Sequence, residues 1–481
     1  MNTSLLIAGQ DMPATNNQTY QRHDPVTGEV ATTAAAASVE DALKAARAAA
    51  AAYPAWSATG PSERRALLMK AADALEASTD RIIQCMITET GSTGPWAGFN
   101  CMLGAGILRE AAAMTTQITG EIIPANKPGT LSMAQRKSLG VCLGIAPWNA
   151  PVILGVRAVA MAIACGNTAI LKSSELCPAT HLAIGEAFRE AGFPEGVMNV
   201  ISNDPADAAE IVAALIAAPE VRHINFTGST SVGRIIAVKA AEQLKPVLLE
   251  LGGKAPLVIL DDADVQAAVN GAAFGSFMNQ GQICMSTERV IVQEGIADEF
   301  IAAFAAKANA LPAGNPREKV VLGSLVTSAA AEKMDALIAD AIAKGGKVIA
   351  GGKRNGTIVE ATLIDNVTPD MRIYSEESFG PVKPIIRVSS DQEAIDVAND
   401  TAYGLSAAVY SNNIQRALAV ADQIESGICH INGPTVADEA QMPFGGVKDS
   451  GYGRFGGKAA IDAFTSVRWV TIEDPHQHFP F

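Results

Sequence analysis

The chain has no excess of basic residues. Lys and Arg total 36 against 50 Asp and Glu, a formal charge of −14. That balance argues against nucleic acid and anionic membrane surfaces as partners, both of which favour basic patches. The seven cysteines, Cys85, Cys101, Cys142, Cys165, Cys177, Cys284 and Cys429, are odd in number and contain no CxxC pair. Neither a disulfide framework nor a zinc signature fits them, and a reducing cytoplasm does. The first ten residues lack a basic start followed by a long apolar run, so no export signal is expected. The longest apolar stretch, Val141 to Cys165, is interrupted by Pro147, Asn149, Pro151 and Arg157. It suits a buried core segment and not a membrane span. Also missing are internal repeats, low-complexity linkers and a GxGxxG fingerprint. His476 and His478 form an HxH in a polar tail, which reads as solvated, and no metal site is expected.

What remains is the composition of a globular protein with a large core: 48% apolar and 18% charged. A length of 481 residues allows two to four domains. Ser38-Val39-Glu40-Asp41 reads as a capping box opening a long alanine-rich helix, and Pro61 opens a second. Helices over about 80–90 and 96–115 follow. Between Gln117 and Gly140 the sequence turns extended and polar. From Val141 to Val258 strand-like runs alternate with helical ones, at Val141–Leu143, Thr168–Leu171, Val197–Ile201 and Val221–Asn225. The alternation resumes at Pro256–Leu260, Arg289–Val292, Lys347–Ala350, Val359–Ile364 and Pro384–Arg387, which is the pattern of parallel sheets.

Three stretches carry chemistry. In Phe277-Met278-Asn279-Gln280-Gly281-Gln282-Ile283-Cys284-Met285-Ser286-Thr287, Cys284 sits on a short loop between a helix, Val265 to Phe277, and a strand. Gly281 is expected to end that helix in the left-handed conformation. A lone cysteine is more often an inert small hydrophobe. However, Val247-Leu248-Leu249-Glu250 delivers a carboxylate at the end of a β-rich run. Gly144-Ile145-Ala146-Pro147-Trp148-Asn149 delivers an amide on a kinked turn. Thiol, carboxylate and amide form a coherent set for covalent oxidation of a carbonyl. A fourth stretch, Ile224-Asn225-Phe226-Thr227-Gly228-Ser229, leads from a strand into a helix predicted over Val232 to Leu244. Free N–H groups at such a helix start suit a pyrophosphate, although strand–Gly–helix turns are also common connections.

Taken in order from Asp24-Pro25-Val26-Thr27-Gly28 to Pro443-Phe444-Gly445-Gly446-Val447-Lys448, these motifs resemble the aldehyde dehydrogenase superfamily. Within it the overall resemblance is to bacterial salicylaldehyde dehydrogenases. The resemblance implies two doubly wound α/β domains, a Rossmann-like cofactor domain and a catalytic domain, plus a small β oligomerisation arm. The expected limits are 1–116 with 141–250 for cofactor binding, 251–453 for catalysis, and 117–140 with 454–481 for the arm. The arm and the tail strand, Phe464 to Ile472, would pair with a neighbouring subunit in a homo-oligomer, dimer or tetramer. Cys284 would be the nucleophile, Glu250 the general base, and Asn149, with the Cys284 N–H, the oxyanion donor. A water-activating base argues for hydrolysis of the intermediate and against its release to coenzyme A. For the cofactor, NAD, Gly228 and Ser229 would approach pyrophosphate and Trp148 would add an indole N–H. Lys172 and Glu175 would bind the adenosine ribose, Glu377 the nicotinamide ribose, and Phe379 would pack beside the ring. A carboxylate at Glu175 repels a 2′-phosphate, so NAD is expected over NADP.

Trp96, Arg157, Ile283 and Met285 would line the aldehyde tunnel. Trp96 offers a flat apolar wall for an aromatic ring, and Arg157 a cation for a phenolate. The expected substrate is an aromatic aldehyde such as salicylaldehyde, which would place the chain in aromatic hydrocarbon catabolism such as naphthalene degradation. Arg157 suits the carboxylate of an aliphatic semialdehyde such as succinic semialdehyde equally well. A binding protein on the same fold, no longer catalytic, is the third reading. Where many relatives have a lysine after the arginine, this chain has Ala158.

Overall fold

The computed structural model describes residues 1–481. Its frame is two mainly parallel sheets with helices on both faces. The first, of eight strands, runs in the order Gly451–Tyr452, Val247–Glu250, Val221–Thr227, Val141–Ile145, Thr168–Lys172, Met198–Ile201, Leu5–Ile7, Gln10–Met12. From Val141–Ile145 the chain moves outward on one side through Thr168–Lys172 and Met198–Ile201. It then returns to the other side with Val221–Thr227. The strand order therefore reverses beside Val141–Ile145, and the crevice at the carboxyl ends of strands around such a reversal is where open α/β sheets bind ligands. The turn bearing Trp148 and Asn149, the Gly228-Ser229 turn and Glu250 all lie at that edge.

The second sheet runs Lys347–Ala350, Thr362–Asp365, Val382–Val388, Arg289–Gln293, Pro256–Ile259, Ser406–Tyr410, Ile428–Ile431. Ser406–Tyr410 and Ile428–Ile431 were not apparent in the sequence, and the run expected over Val359–Ile364 is two strands, Ile358–Val359 and Thr362–Asp365. Between the two sheets the chain passes directly from Glu250 to Pro256 through a wholly buried connection. The carboxyl edge of the first sheet thus faces the amino edge of the second. Cys284 precedes the strand Arg289–Gln293, and Glu377 precedes Val382–Val388, both at that amino edge.

The helix Pro151–Ala164 carries one charged side chain, Arg157, and is buried on every face. This is the expected fate of a helix with no polar stripe. Ala158 lies against Gly144, where an added Cβ would sit 2.8 Å from the alanine methyl, so the position after Arg157 is a closed helix–strand contact. The capping box at Ser38 is present, with the Ser38 hydroxyl accepting from the Asp41 N–H and the Asp41 carboxylate accepting in return.

Two expectations are corrected. The tail strand, Thr465–Ile472, pairs along its whole length with the ribbon Leu131–Ser138 of its own chain. The short helix before it, Gly457–Ala463, is anchored by the buried Ile461 and so delivers the strand to its own arm. The tail strand is the edge of the three-stranded arm and leaves Val467 and Trp469 65% and 75% exposed. Second, the helix before Cys284 ends at Phe277. Gly281 is left-handed as expected, at φ +73°, but Asn279 and Gln280 before it are left-handed too, at φ +48° and +57°.

Candidate active site

Each group arrives on an element edge. Glu250 is the last residue of its strand and is buried. Neither carboxylate oxygen has a hydrogen-bond partner in the protein. Burial, partly offset by the Arg157 cation, pushes its carboxyl up to about 7. Burial also raises the Cys284 thiol well above its ordinary value, and the charges of Glu250 and Glu377 add to this. A carboxylate without donors next to a neutral thiol is a costly arrangement for stability and the arrangement expected of an acid–base pair at work.

Asn149 begins the turn into the helix Pro151–Ala164. Its backbone carbonyl accepts from Trp96 Nε1 at 3.1 Å and from Asn279 Nδ2 at 2.9 Å. Trp96 thereby keeps its face for the cavity while its polar tip is committed.

Cys284 is the place where two cavities meet. One, of about 240 Å³, is walled by Trp96, Phe99, Arg157, Ile283, Met285 and Phe444, among others. The other, of about 220 Å³, is lined by Trp148, Gly228, Ser229, Glu250, Glu377 and Phe379. Cys284, Asn149 and Leu154 belong to both. The first is mostly apolar, which suits a hydrocarbon or aromatic body. The second contains the carboxylates and the helix start.

The second cavity fits a nicotinamide dinucleotide. Ser229 caps the helix Thr230–Glu242, its hydroxyl accepting from the Val232 N–H, and leaves the other N–H groups of the first turn free for an anion. A Cβ at Gly252 would stand 3.0 Å from Glu377 Oε2. The Glu377 carboxylate accepts from the Gly253 N–H at 3.0 Å and is raised to about 7, chiefly by burial. Trp148 meets Phe379 edge to face, with centroids 5.7 Å apart. Farther along the same edge, Lys172 pairs with Glu175, which also accepts from Asn203 Nδ2 at 3.2 Å.

Arg157 is not the free cation expected. Its Nη2 bonds both oxygens of Asp438, at 2.7 and 2.6 Å, and its guanidinium lies 4.4 Å over the Phe444 ring. Its Nη1 is buried without a partner. Asp438 gave no sign in the sequence, because nothing local marks a residue 281 positions away as a counter-ion. Phe444 belongs to a quoted motif but was not assigned to the cavity. Phe99, one turn after Trp96 and stacked beside it, was legible from helical spacing and was missed.

The model of the aldehyde dehydrogenase family matches residues 12–470. The chain belongs to the aldehyde dehydrogenase family. A vanillin dehydrogenase of Pseudomonas fluorescens is 56% identical over the whole of both chains. The crystal structure of a salicylaldehyde dehydrogenase from Pseudomonas putida G7, complexed with salicylaldehyde, superposes with a TM-score of 0.98 at 50% identity, covering all of both chains. PnpE in complex with nicotinamide adenine dinucleotide superposes at 0.95 with 37% identity, covering 100% of this chain and 99% of PnpE. This aldehyde dehydrogenase is thus an enzyme of aldehyde oxidation that uses a nicotinamide cofactor, which removes the reading of a binding protein that no longer catalyses.

The loops that carry these groups are tied together by one buried carboxylate. Glu288, four residues after Cys284, takes Lys254 and Lys383 on its two oxygens, each at 2.8 Å. It also accepts from the Ser378 N–H at 2.7 Å and the Ser378 hydroxyl at 2.6 Å, beside Glu377. Burial alone would raise this carboxyl; the two ammonium groups outweigh it and hold Glu288 at about 2. Glu288→Gln leaves two buried cations without a counter-charge and is expected to cost roughly 3–5 kcal/mol. The check is the midpoint of thermal unfolding, which should fall; an unchanged midpoint would show that the cluster contributes no such energy.

Proposed function

We propose that this aldehyde dehydrogenase oxidises an aromatic aldehyde of the hydroxybenzaldehyde type, salicylaldehyde or a close relative such as vanillin, to the carboxylate with NAD. The observation that carries the reading is the position of Cys284 on the wall shared by an apolar cavity and a polar one. Residues 1–116 with 141–250 serve the cofactor and 251–453 the chemistry. The short strand Gly451–Tyr452 joins the first sheet across that limit. Residues 117–140 and 454–481 form the arm, whose exposed edge suits a homo-oligomer, since an unpaired apolar edge strand invites a second copy.

Cys284 rests as the thiol. As its sulfur bonds to the aldehyde carbon, the proton passes to Glu250, and the carbonyl electron pair becomes an oxyanion. The Asn149 side-chain amide and the Cys284 N–H receive that charge; each such donor is worth about 10²–10³ in rate. The dinucleotide, when bound, supplies the acceptor for the hydride that leaves the carbon. A thioester then remains on Cys284. Glu250, having lost its proton to solvent, takes one from water as the water oxygen adds to the thioester carbon. The C–S bond breaks and the thiol is restored.

Glu175 and Lys172 hold the adenosine ribose, and the Glu175 carboxylate favours NAD over NADP. Trp148 and Ser229 serve the pyrophosphate, and Phe379 and Glu377 the nicotinamide side. On the substrate side, the Arg157 charge is already spent on Asp438. That weakens the case for a second carboxylate in the aldehyde, and with it the succinic semialdehyde alternative. The remaining Nη1–H suits a neutral or phenolic oxygen, and the walls of Trp96, Ile283 and Met285 suit a ring.

Cys284→Ala should make no NADH, and Glu250→Gln, which has lost the base of both half-reactions, should make at most about one NADH per site, more slowly than the parent, and then stall. Steady turnover by both variants would remove the mechanism. Because Glu250 acts as a base and is half protonated at about pH 7, the steady rate of the parent enzyme should rise with pH through about 7 and level off above it. A flat profile across that range would exclude Glu250 as the titrating base. In a panel of salicylaldehyde, vanillin, benzaldehyde and succinic semialdehyde, kcat/KM should favour the aromatic aldehydes by at least about tenfold. Preference for the semialdehyde would overturn the substrate assignment.

A further inference from the structure

Three consecutive residues ahead of the nucleophile, Asn279, Gln280 and Gly281, have left-handed backbones. Glycine takes that conformation freely and asparagine tolerates it; for glutamine it is strained by about 1–2 kcal/mol. Such strain persists only where the surroundings enforce it. Here Gln280 Nε2 bonds the Ser324 carbonyl at 3.0 Å, and Gly281 packs where a Cβ would stand 2.3 Å from the Gly380 carbonyl. The turn aims the Asn279 side chain, itself 2% exposed, at the backbone carbonyl of Asn149, 2.9 Å away. A carbonyl only accepts, so the amide must present its NH₂ group there. Its Oδ1 is left buried without a partner. An unmet acceptor is tolerated in order to place one donor on Asn149. The loop that carries the thiol is thereby bonded to the residue that carries the oxyanion amide, from a side chain that lines neither cavity.

We propose that Asn279 is a positioning residue: it fixes the backbone of Asn149, and so the direction of its side-chain amide, relative to Cys284. The inference rests on the reading of Asn149 as oxyanion donor and extends it to the residue that orients the donor. Trp96 Nε1 holds the same carbonyl from another side, so loss of Asn279 loosens the amide without freeing it.

The experiment is a stopped-flow NADH burst at saturating NAD and salicylaldehyde. The amplitude counts competent sites, and the rate reports how well the transition state is held. Asn279→Gly keeps a backbone at ease at φ +48° and removes the amide; Asn279→Asp sets an oxygen against the Asn149 carbonyl. In both, the burst rate should fall about 10- to 100-fold with KM for NAD unchanged, and the aspartate variant should fall at least as far. Placed on Asn149→Ala, Asn279→Gly should change the rate by less than about twofold, since the group it acts through is gone. An equal loss in both backgrounds overturns the proposal, as does a loss of amplitude at unchanged rate, the mark of a role in folding alone. If Asn149→Ala itself leaves the burst rate unchanged, the oxyanion assignment is wrong and this inference falls with it. If Asn149→Ala slows the burst and Asn279→Gly does not, only the role of Asn279 is lost.

Discussion

Between Glu250 and Pro256 the chain has five residues in which to leave one sheet and enter the next, and all five are buried. That constraint sets the rest of the site. A connection so short forces the carboxyl edge of the first sheet against the amino edge of the second. The turns that end strands in one half then face the loops that begin strands in the other. Gly252 and Gly253 are used because the backbone there passes within contact of Glu377 and of the Cys284 carbonyl. Lys254 reaches back to Glu288 and to the Glu376 carbonyl. The two halves therefore meet through the segment whose ends carry a base and a buried cation.

The reactivity follows from what this meeting excludes. Glu250 is buried and its two oxygens have no hydrogen-bond partner, while Cys284 is half-buried between the two cavities. The charged forms of both groups are disfavoured: the Cys284 thiol stays protonated at rest, and the raised Glu250 carboxyl is a stronger acceptor for its proton than an ordinary carboxylate. By contrast, Glu288 is as deeply buried but fully supplied with donors, and it stays ionised. The two carboxylates show how environment alone pushes one carboxyl up and keeps the other ionised.

Much of this was legible in the sequence where the signal is local. Cys284, Glu250 and Asn149 lie in short stretches picked out by residue type and family resemblance, and the structure brings them to one edge; the alternation of strands and helices marked most strands of both sheets. What was hidden depends on contacts across the chain. Asp438 neutralises Arg157 from a loop with no marking pattern. The contact of Asn279 with Asn149 spans 130 positions and needs a backbone conformation that side-chain pattern does not encode. The tail strand has the alternation of a pairing strand, but its partner is chosen by where the helix Gly457–Ala463 is anchored. The strands Ser406–Tyr410 and Ile428–Ile431 are short and lie among glycines and polar turns, where period-two patterning is weakest.

The wall on which Cys284 stands has a consequence for how such an enzyme diverges. The two cavities have only Cys284, Asn149 and Leu154 in common. Replacements at Phe99 or Val436 reshape the apolar cavity without altering a residue that borders the other. The shape of one cavity can therefore change while the lining of the other stays as it is.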